Sequence, residues 1–384
     1  MSQIEVFDKA KRWLENRQKN RKLERELYTR FHPRLLKNLT GAPNYRLLGH
    51  NLEEIKFVES ELVRLANCGK RLLVGPWLSE VGFELLYWIP FLRWFKERFS
   101  LGEDAFTVVS RGGVASWYQG ITSSYVELFD HFSVQEFREL NLQRIEETGG
   151  QKHKSVGGFD REIFARLSAT CPDVQYESLH PSLLYSLFKF YWSNRLGFEL
   201  IGTRTNFRRL TAPPQLFSLP EKYIAVKFYF SRCFPENDDN LEFCRSTIAN
   251  LRRKLPVVVM STGFSLDDHA DAVVGADGEG HPVIDLSGSM DPRSNLETQT
   301  CVVAHSELFV GTYGGFSYLA PFFQRPSVSF YSEQDAFFSC HLHTMNEAVK
   351  VLNRENGPGV GFQALDVCQS SRLLGLFGAG RDWS

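Results

Sequence analysis

Apolar runs that end in glycine or a small polar residue, each followed by helical spacing, recur along this chain. Leu72 to Val74 is one such run. It breaks at Gly75-Pro76, and apolar residues return at Leu85, Trp88, Ile89, Leu92 and Phe95, the repeat of a single helix face. Phe106 to Ser110 supplies the next strand and ends at Arg111-Gly-Gly113. Strand, glycine loop, helix, strand is the βαβ unit of a parallel sheet. After the proline-marked stretches Ala212-Pro-Pro-Gln and Leu219-Pro-Glu the alternation restarts. Tyr223 to Phe230, Val257 to Met260, Val283 to Asp285, Leu308 to Gly311 and Pro326 to Phe330 read as strands, with helices near 239–254 and over 295–305. The expected fold class is therefore α/β, with two Rossmann-like domains at 71–212 and 213–350, a helical extension over 1–70 and a tail over 351–384.

Three other stretches carry a pattern. Residues 1–40 are charged and helical, with Phe7, Trp13, Leu14, Leu23, Leu27 and Phe31 set among an excess of basic residues. Such a helix packs on its own domain with a solvated face, or rests peripherally on an anionic membrane, or docks on a partner protein. Leu52 to Asn67 has helical spacing at Ile55, Val58, Leu62 and Leu65; Leu183 to Trp192 reads as a buried helix, and Gln151 to Gly158 as a mobile loop.

Composition narrows the classes. A chain of 384 residues that is 43% hydrophobic has material for two cores. A net charge of −1 gives no support for nucleic-acid binding. Seven scattered cysteines without a C-x-x-C pair favour a reducing compartment over disulfides or a zinc site. No apolar run approaches the roughly 18 to 20 residues of a membrane span, and the N-terminus lacks signal-peptide order, so a cytoplasmic location is expected. No Asp-x-Asp is present to offer oxygen to a hard cation, Asp267-Asp-His-Ala-Asp271 reads as a solvated cluster, and His341 with His343 as an ordinary pair. No metal and no cofactor are expected.

Candidate chemistry gathers at strand ends. In Leu308 to Pro321 a buried strand runs through Gly314 and Gly315 into a helix beginning near Phe316 or Ser317, an arrangement that suits a phosphate. Ser317 is a candidate cap for that helix, and Thr312 and Tyr313 add hydroxyls. Lys227, Arg232, Thr262 and Gly263 end neighbouring strands of the same half, so cations, hydroxyls and a helix start together fit a diphosphate. Asn295 and Glu297 open the helix before this loop, with Asn295 the expected N-cap. In the first half, Glu80 is the acid best placed to face a substrate, unless it is only a helix-start residue; Glu84 reads as structural or supporting. Arg111, in its glycine turn, suits an anion or an acceptor hydroxyl.

These two openings, the strand-loop-acid-helix at Leu72 to Glu80 and the strand-Thr312-Tyr-Gly-Gly315-helix, resemble those of the GT-B glycosyltransferases. The nearest resemblance is to bacterial heptosyltransferase-like enzymes of surface polysaccharide assembly, over about residues 70–350. The resemblance implies that Glu80 is the catalytic base and that Thr312 to Ser317 hold a donor diphosphate. It implies transfer of sugar from a nucleotide-sugar donor to a glycan or glycolipid acceptor; without an Asp-x-Asp the transfer is expected to be metal-independent, and Arg111 is the candidate acceptor contact. Those enzymes carry an aspartate directly after the loop glycine and an Asp-Ser-Gly-Pro type second loop, where this chain has Trp77-Leu-Ser-Glu80 and Thr312-Tyr-Gly-Gly315. A nucleotide-sugar epimerase of similar architecture and a non-catalytic nucleotide-binding or scaffold module are the alternatives.

Overall fold

The computed structural model describes residues 45–215, 217–263, 270–272, 279–354 and 359–367. The expectations for residues 1–40, for most of the acidic cluster at 267–271 and for the end of the tail lie outside the described residues. Helix α1 (Tyr45–Ala66) puts Ile55, Val58, Leu62 and Leu65 on one stripe, and each is at most 2% exposed. That stripe is part of the main core, and Glu54 and Glu59 pair with Lys189 and Arg204. Residues 45–66 are thus a layer of the first domain, not part of a separate extension reaching residue 70.

The first sheet has four parallel strands, β1 (Arg71–Val74), β2 (Phe106–Ser110), β3 (Tyr125–Glu127) and β4 (Tyr176–Leu179), in the order β3-β2-β1-β4. Leu72 lies opposite Phe106 on one side and Glu177 on the other. Between β1 and β2 runs α2, built from Val81–Phe83, a π-helical turn Glu84–Trp88 and Ile89–Arg98. Pro90 has no N–H to give and its ring crowds the carbonyl four residues back, and the widened turn directly precedes it. Helices α3 (Val134–Thr148) and α4 (Gly158–Thr170) join β3 to β4, and α5 (Ser182–Trp192) follows β4.

The second sheet has six parallel strands: β5 (Ile224–Lys227), β7 (Val257–Val259), β9 (Val283–Asp285), β10 (Leu308–Thr312), β11 (Ser327–Tyr331) and β12 (Phe362–Asp366). Their order is β12-β11-β10-β5-β7-β9, while β6 (Tyr229–Phe230) and β8 (Ala270–Asp271) make a small antiparallel ribbon. Helices α6 (Asp238–Leu251), α7 (Asn295–His305), α8 (Gly315–Phe322) and α9 (Ser339–Arg354) complete this half. The expected tail at 351–384 is corrected in part: β12 pairs along β11, so the sheet extends to Asp366.

Strand order reverses between β1 and β4 in one sheet and between β5 and β10 in the other. At such a point the loops leaving the carboxyl ends diverge to opposite faces and leave a crevice, the usual ligand position in doubly wound sheets. The largest apolar cluster joins the halves, with Leu86, Trp88 and Trp117 of the first domain in one core with Leu296, Phe316 and Leu319 of the second. Among the described residues no helix is long and apolar enough to cross a membrane, and six cysteines are unpaired.

Candidate functional site

The two crevices open into one cavity of about 810 Å³ lined by both domains. On the C-terminal side, β10 turns at Gly314 into α8. Gly314 has φ +121°, which requires glycine, and a Cβ there would also have to displace the Tyr229 hydroxyl, 2.7 Å away. Gly314, Gly315 and Phe316 line the cavity. Thr312 and Ser317 do not. The Thr312 hydroxyl accepts the Tyr229 N–H at 3.0 Å and donates to the Tyr229 carbonyl at 2.8 Å. Ser317 accepts the Gly314 N–H at 3.1 Å and donates to the Gly314 carbonyl at 2.7 Å, bracing the turn from inside while Gly314 holds the cap position.

Lys227, at the end of β5, donates to the Met260 carbonyl and to Asp271 Oδ1, both at 3.0 Å, and lies over the Phe316 ring. Asp271 Oδ2 accepts the Thr262 N–H at 2.5 Å and the Thr262 hydroxyl at 2.8 Å. The solvated reading of that acid is therefore corrected: Asp271 holds β8 to the sheet end and takes one of the three lysine donors. Thr262 lines the cavity, whereas Gly263 packs on Ser287 outside it. Arg232 is exposed, lines the cavity and has no ion pair to any described residue.

On the N-terminal side Glu80 lines the cavity from the cap position of α2, with extended φ −64° and ψ 137° and no side-chain bond to the helix N–H groups. A carboxylate present only to cap the helix would accept one of them. The Trp77 indole donates to the Glu80 carbonyl at 3.2 Å, and Arg111 Nη2 to the Ser79 carbonyl at 3.2 Å, which ties Arg111 to the Glu80 loop. Arg111 is buried, lines the cavity and leaves Nε without a partner. Glu127 accepts the N–H groups of Gly112 and Gly113, shaping the turn, and the Gly112 carbonyl accepts the Glu297 N–H at 2.9 Å. Ser294, not Asn295, holds the cap position of α7, and Asn295 lines the cavity.

The two loops meet at glycines. A Cβ on Gly82 would sit 3.0 Å from the Gly315 nitrogen and 3.2 Å from its Cα, so the first turns of α2 and α8 touch backbone to backbone. Gly82→Ala is expected to cost about 1–3 kcal/mol through this overpacking. Thermal melts check it, and an unchanged melting temperature would mean that the helix starts separate freely.

Neither a family model nor a curated protein sequence matches the chain. Among solved structures it is similar to ADP-heptose lipopolysaccharide heptosyltransferase II of E. coli, with 14% identity over 81% of this chain and 98% of that one, TM-score 0.42. It is similar to a family 9 glycosyl transferase of Veillonella parvula, with 12% identity over 82% and 90%, TM-score 0.42. A third is the iron-containing dodecameric glycosyltransferase TibC of enterotoxigenic E. coli, with 13% identity over 68% of this chain, TM-score 0.37; this chain spans 58% of that protein's length. All three are glycosyltransferases. The two-domain architecture of this chain rests on the strand orders given above.

The cavity also holds residues that local sequence pattern did not single out as site residues. Lys152 and Lys154 enter it from the stretch expected to be a mobile loop, which is instead anchored by buried groups. Arg144 Nη2 donates to the Gln151 carbonyl at 2.9 Å, and the Leu78 N–H donates to His153 Nε2 at 3.0 Å. Among the described residues one group has metal-like spacing: ligand atoms of His153, Asp160 and His180, all buried, lie within 4.8 Å of one another. The outer ring nitrogens decide its chemistry. His153 Nε2 accepts from Leu78, and His180 Nδ1 accepts the Ser182 N–H at 3.1 Å, so neither of these outer nitrogens carries a proton to donate. A metal-bound imidazole does the reverse and donates its outer N–H. The inner atoms Asp160 Oδ1, His153 Nδ1 and His180 Nε2 make no hydrogen bond, although His180 Nε2 lies 3.3 Å from Asp160 Oδ1, so this is a buried polar cluster held from outside by backbone N–H groups. Burial pushes the His153 pKa well down, with His180 and Arg144 adding to it.

Glu84, one turn beyond Glu80, is buried. Its Oε1 accepts the Ser110 hydroxyl at 2.6 Å and the Tyr118 hydroxyl at 2.5 Å. Burial pushes its pKa up to about 7 against those two bonds and the attraction of Arg111.

Proposed function

We propose that the protein is a glycosyltransferase that moves a sugar from a nucleotide-activated donor to a glycan or lipid-linked acceptor, with cationic side chains rather than a metal ion meeting the diphosphate. The observation that carries this reading is the contact of Gly82 with Gly315, which sets the acid-bearing loop of one domain against the anion-suited turn of the other. The Gly315 and Phe316 N–H groups at the start of α8, together with Arg232 and the remaining donor of Lys227, would face the phosphates. The acceptor would lie on the side of Glu80 and Arg111.

In the transfer, the acceptor oxygen attacks the anomeric carbon, the bond from that carbon to the diphosphate breaks, and the hydroxyl proton passes to Glu80. Charge that develops on the leaving diphosphate is met by Arg232, Lys227 and the helix start. Closure of both domains around the reacting centre would exclude water and limit hydrolysis.

The test is thermal stabilisation by a panel of nucleoside diphosphates and nucleotide sugars with and without EDTA, since a ligand that binds the folded state raises its apparent stability. One nucleotide family should stabilise the protein, with EDTA making no difference. Arg232→Ala should weaken that ligand about 10- to 100-fold, as expected for a charge-assisted hydrogen bond, with the ligand-free melting temperature unchanged. A flat response to every nucleotide sinks the reading.

A further inference from the structure

His341 and Tyr87 meet across the domain boundary. His341 opens α9 in the C-terminal half and lines the cavity; Tyr87 lies in the π-helical turn of α2. The Tyr87 hydroxyl is 2.7 Å from His341 Nδ1 and 3.3 Å from Thr344 Oγ1. One phenol proton serves two contacts: given to Nδ1, the shorter one, it leaves the ring proton on Nε2, and given to Thr344 it makes Nδ1 the donor. Thr344 has its own acceptor in the Cys340 carbonyl at 2.9 Å, and Tyr191 donates to the same carbonyl at 2.9 Å, so the start of α9 is held against the first domain by the Tyr87 and Tyr191 hydroxyls. With Nδ1 accepting, the ring proton is on Nε2. That nitrogen has no partner among the described residues and is not among the buried unpartnered atoms, which leaves it open to the cavity the ring lines.

The surroundings keep this ring neutral. The Phe83 ring stands edge-on at 4.9 Å and the exposed Phe338 lies at 5.9 Å. Burial pushes the His341 pKa down to about 3, and the Lys152 ammonium adds to it. The other titratable groups that face it are the Tyr87 phenol and the Cys340 thiol, 3.9 Å from Nδ1. A neutral imidazole N–H is a poor acid and has no lone pair to act as a base at that nitrogen. It is a donor of fixed direction, suited to an oxygen that gains charge.

Resting on the nucleotide reading given above, we propose that His341 is a further ligand-contacting residue that donates its Nε2–H to a phosphate oxygen of the bound nucleotide. Because Tyr87 sets the tautomer from the opposite domain, the donor is complete only when α2 and α9 are in contact. The role thus links the relative placement of the domains to binding of the leaving group.

Proton–nitrogen NMR of the histidine rings in the full chain tests this directly. Expected are an Nε2–H tautomer for His341, no titration between about pH 5 and 9 given that lowered pKa, and a shift of the Nε2–H signal on adding whichever of ADP, UDP, GDP or CDP binds. Inorganic pyrophosphate should reproduce the shift and the matching nucleoside should not. His341→Ala should weaken the diphosphate about 10- to 100-fold, and His341→Gln, which keeps an N–H near the same place, should restore part of the loss. An Nδ1–H tautomer, titration near the ordinary histidine value, or a dissociation constant unmoved in His341→Ala overturns the proposal. If no nucleoside diphosphate binds the wild-type protein, the nucleotide reading fails and takes this ligand with it. Binding that survives His341→Ala removes the role of His341 alone.

Discussion

Glu80→Gln is expected to lower sugar transfer by about 10²- to 10⁴-fold, the usual weight of a positioned general base, while donor binding stays within about twofold. The amide keeps the size of the carboxylate and removes only its ability to take a proton. Three features separate this role from that of a helix-start acid. The side chain makes no bond to the N–H groups of α2, although it occupies the cap position. Its carbonyl is held by Trp77 and by the N–H groups of Phe83 and Glu84, so the loop is set by backbone contacts that the substitution leaves alone. Its neighbours in the cavity include Arg111 and the Gly314 to Phe316 turn, which places an acid between the two candidate substrate sides. The readout is the split between turnover and donor affinity with the melting temperature as control. Full turnover in Glu80→Gln would remove the base, and a fall in melting temperature would return Glu80 to the role of a helix-start residue.

What the sequence made legible is the part that local pattern decides. Leu72 to Val74, Val257 to Val259 and Leu308 to Gly311 are apolar throughout because parallel strands are covered on both faces, and they landed as β1, β7 and most of β10. Gly314 was legible because only glycine tolerates its φ beside the Tyr229 hydroxyl. β3 and β4 were not, since Tyr125 to Glu127 and Tyr176 to Leu179 are short, partly polar edge strands whose pairing comes from β2 and β1. Hydroxyl direction was equally out of reach. Thr312 faces Tyr229 and Ser317 faces Gly314 for reasons set by a neighbouring strand and a turn, so neither lines the cavity, which the strand-loop-helix pattern does not reveal. Lys152 and Lys154 enter the cavity because Arg144 and His153 are buried beneath them, a network spanning residues 78 to 180 that no local window contains. Arg111 was legible by its place after a strand; its tie to Ser79 was not.

Glu84 should make stability fall with pH across the neutral range. Its pKa rises from 4.5 in the unfolded chain to about 7 in the folded one because burial disfavours the charge. Between those values the native state binds the proton and the unfolded state does not. The stabilisation is therefore fully present below the unfolded pKa, declines as pH rises, and is gone once pH passes the folded value. The size is about 3 kcal/mol. His153 and His341, whose folded pKa values are lowered, act in the opposite direction as pH falls below the histidine range, so the wild-type curve alone mixes the contributions. Glu84→Gln isolates the carboxyl: its amide oxygen can still accept from Ser110 and Tyr118, but it has no proton to release. The stability of Glu84→Gln relative to wild type is expected to rise by about 3 kcal/mol between pH 4.5 and 8, measured by urea unfolding at each pH. Parallel curves for the two proteins would show that Glu84 is not held in the protonated form beneath Arg111. A rising difference would place a proton-binding carboxyl at the end of the strand that Arg111 follows, and Glu84 would then attract Arg111 only on the alkaline side, which ties the charge of the Arg111 side of the cavity to pH through Ser110 and the turn that follows it.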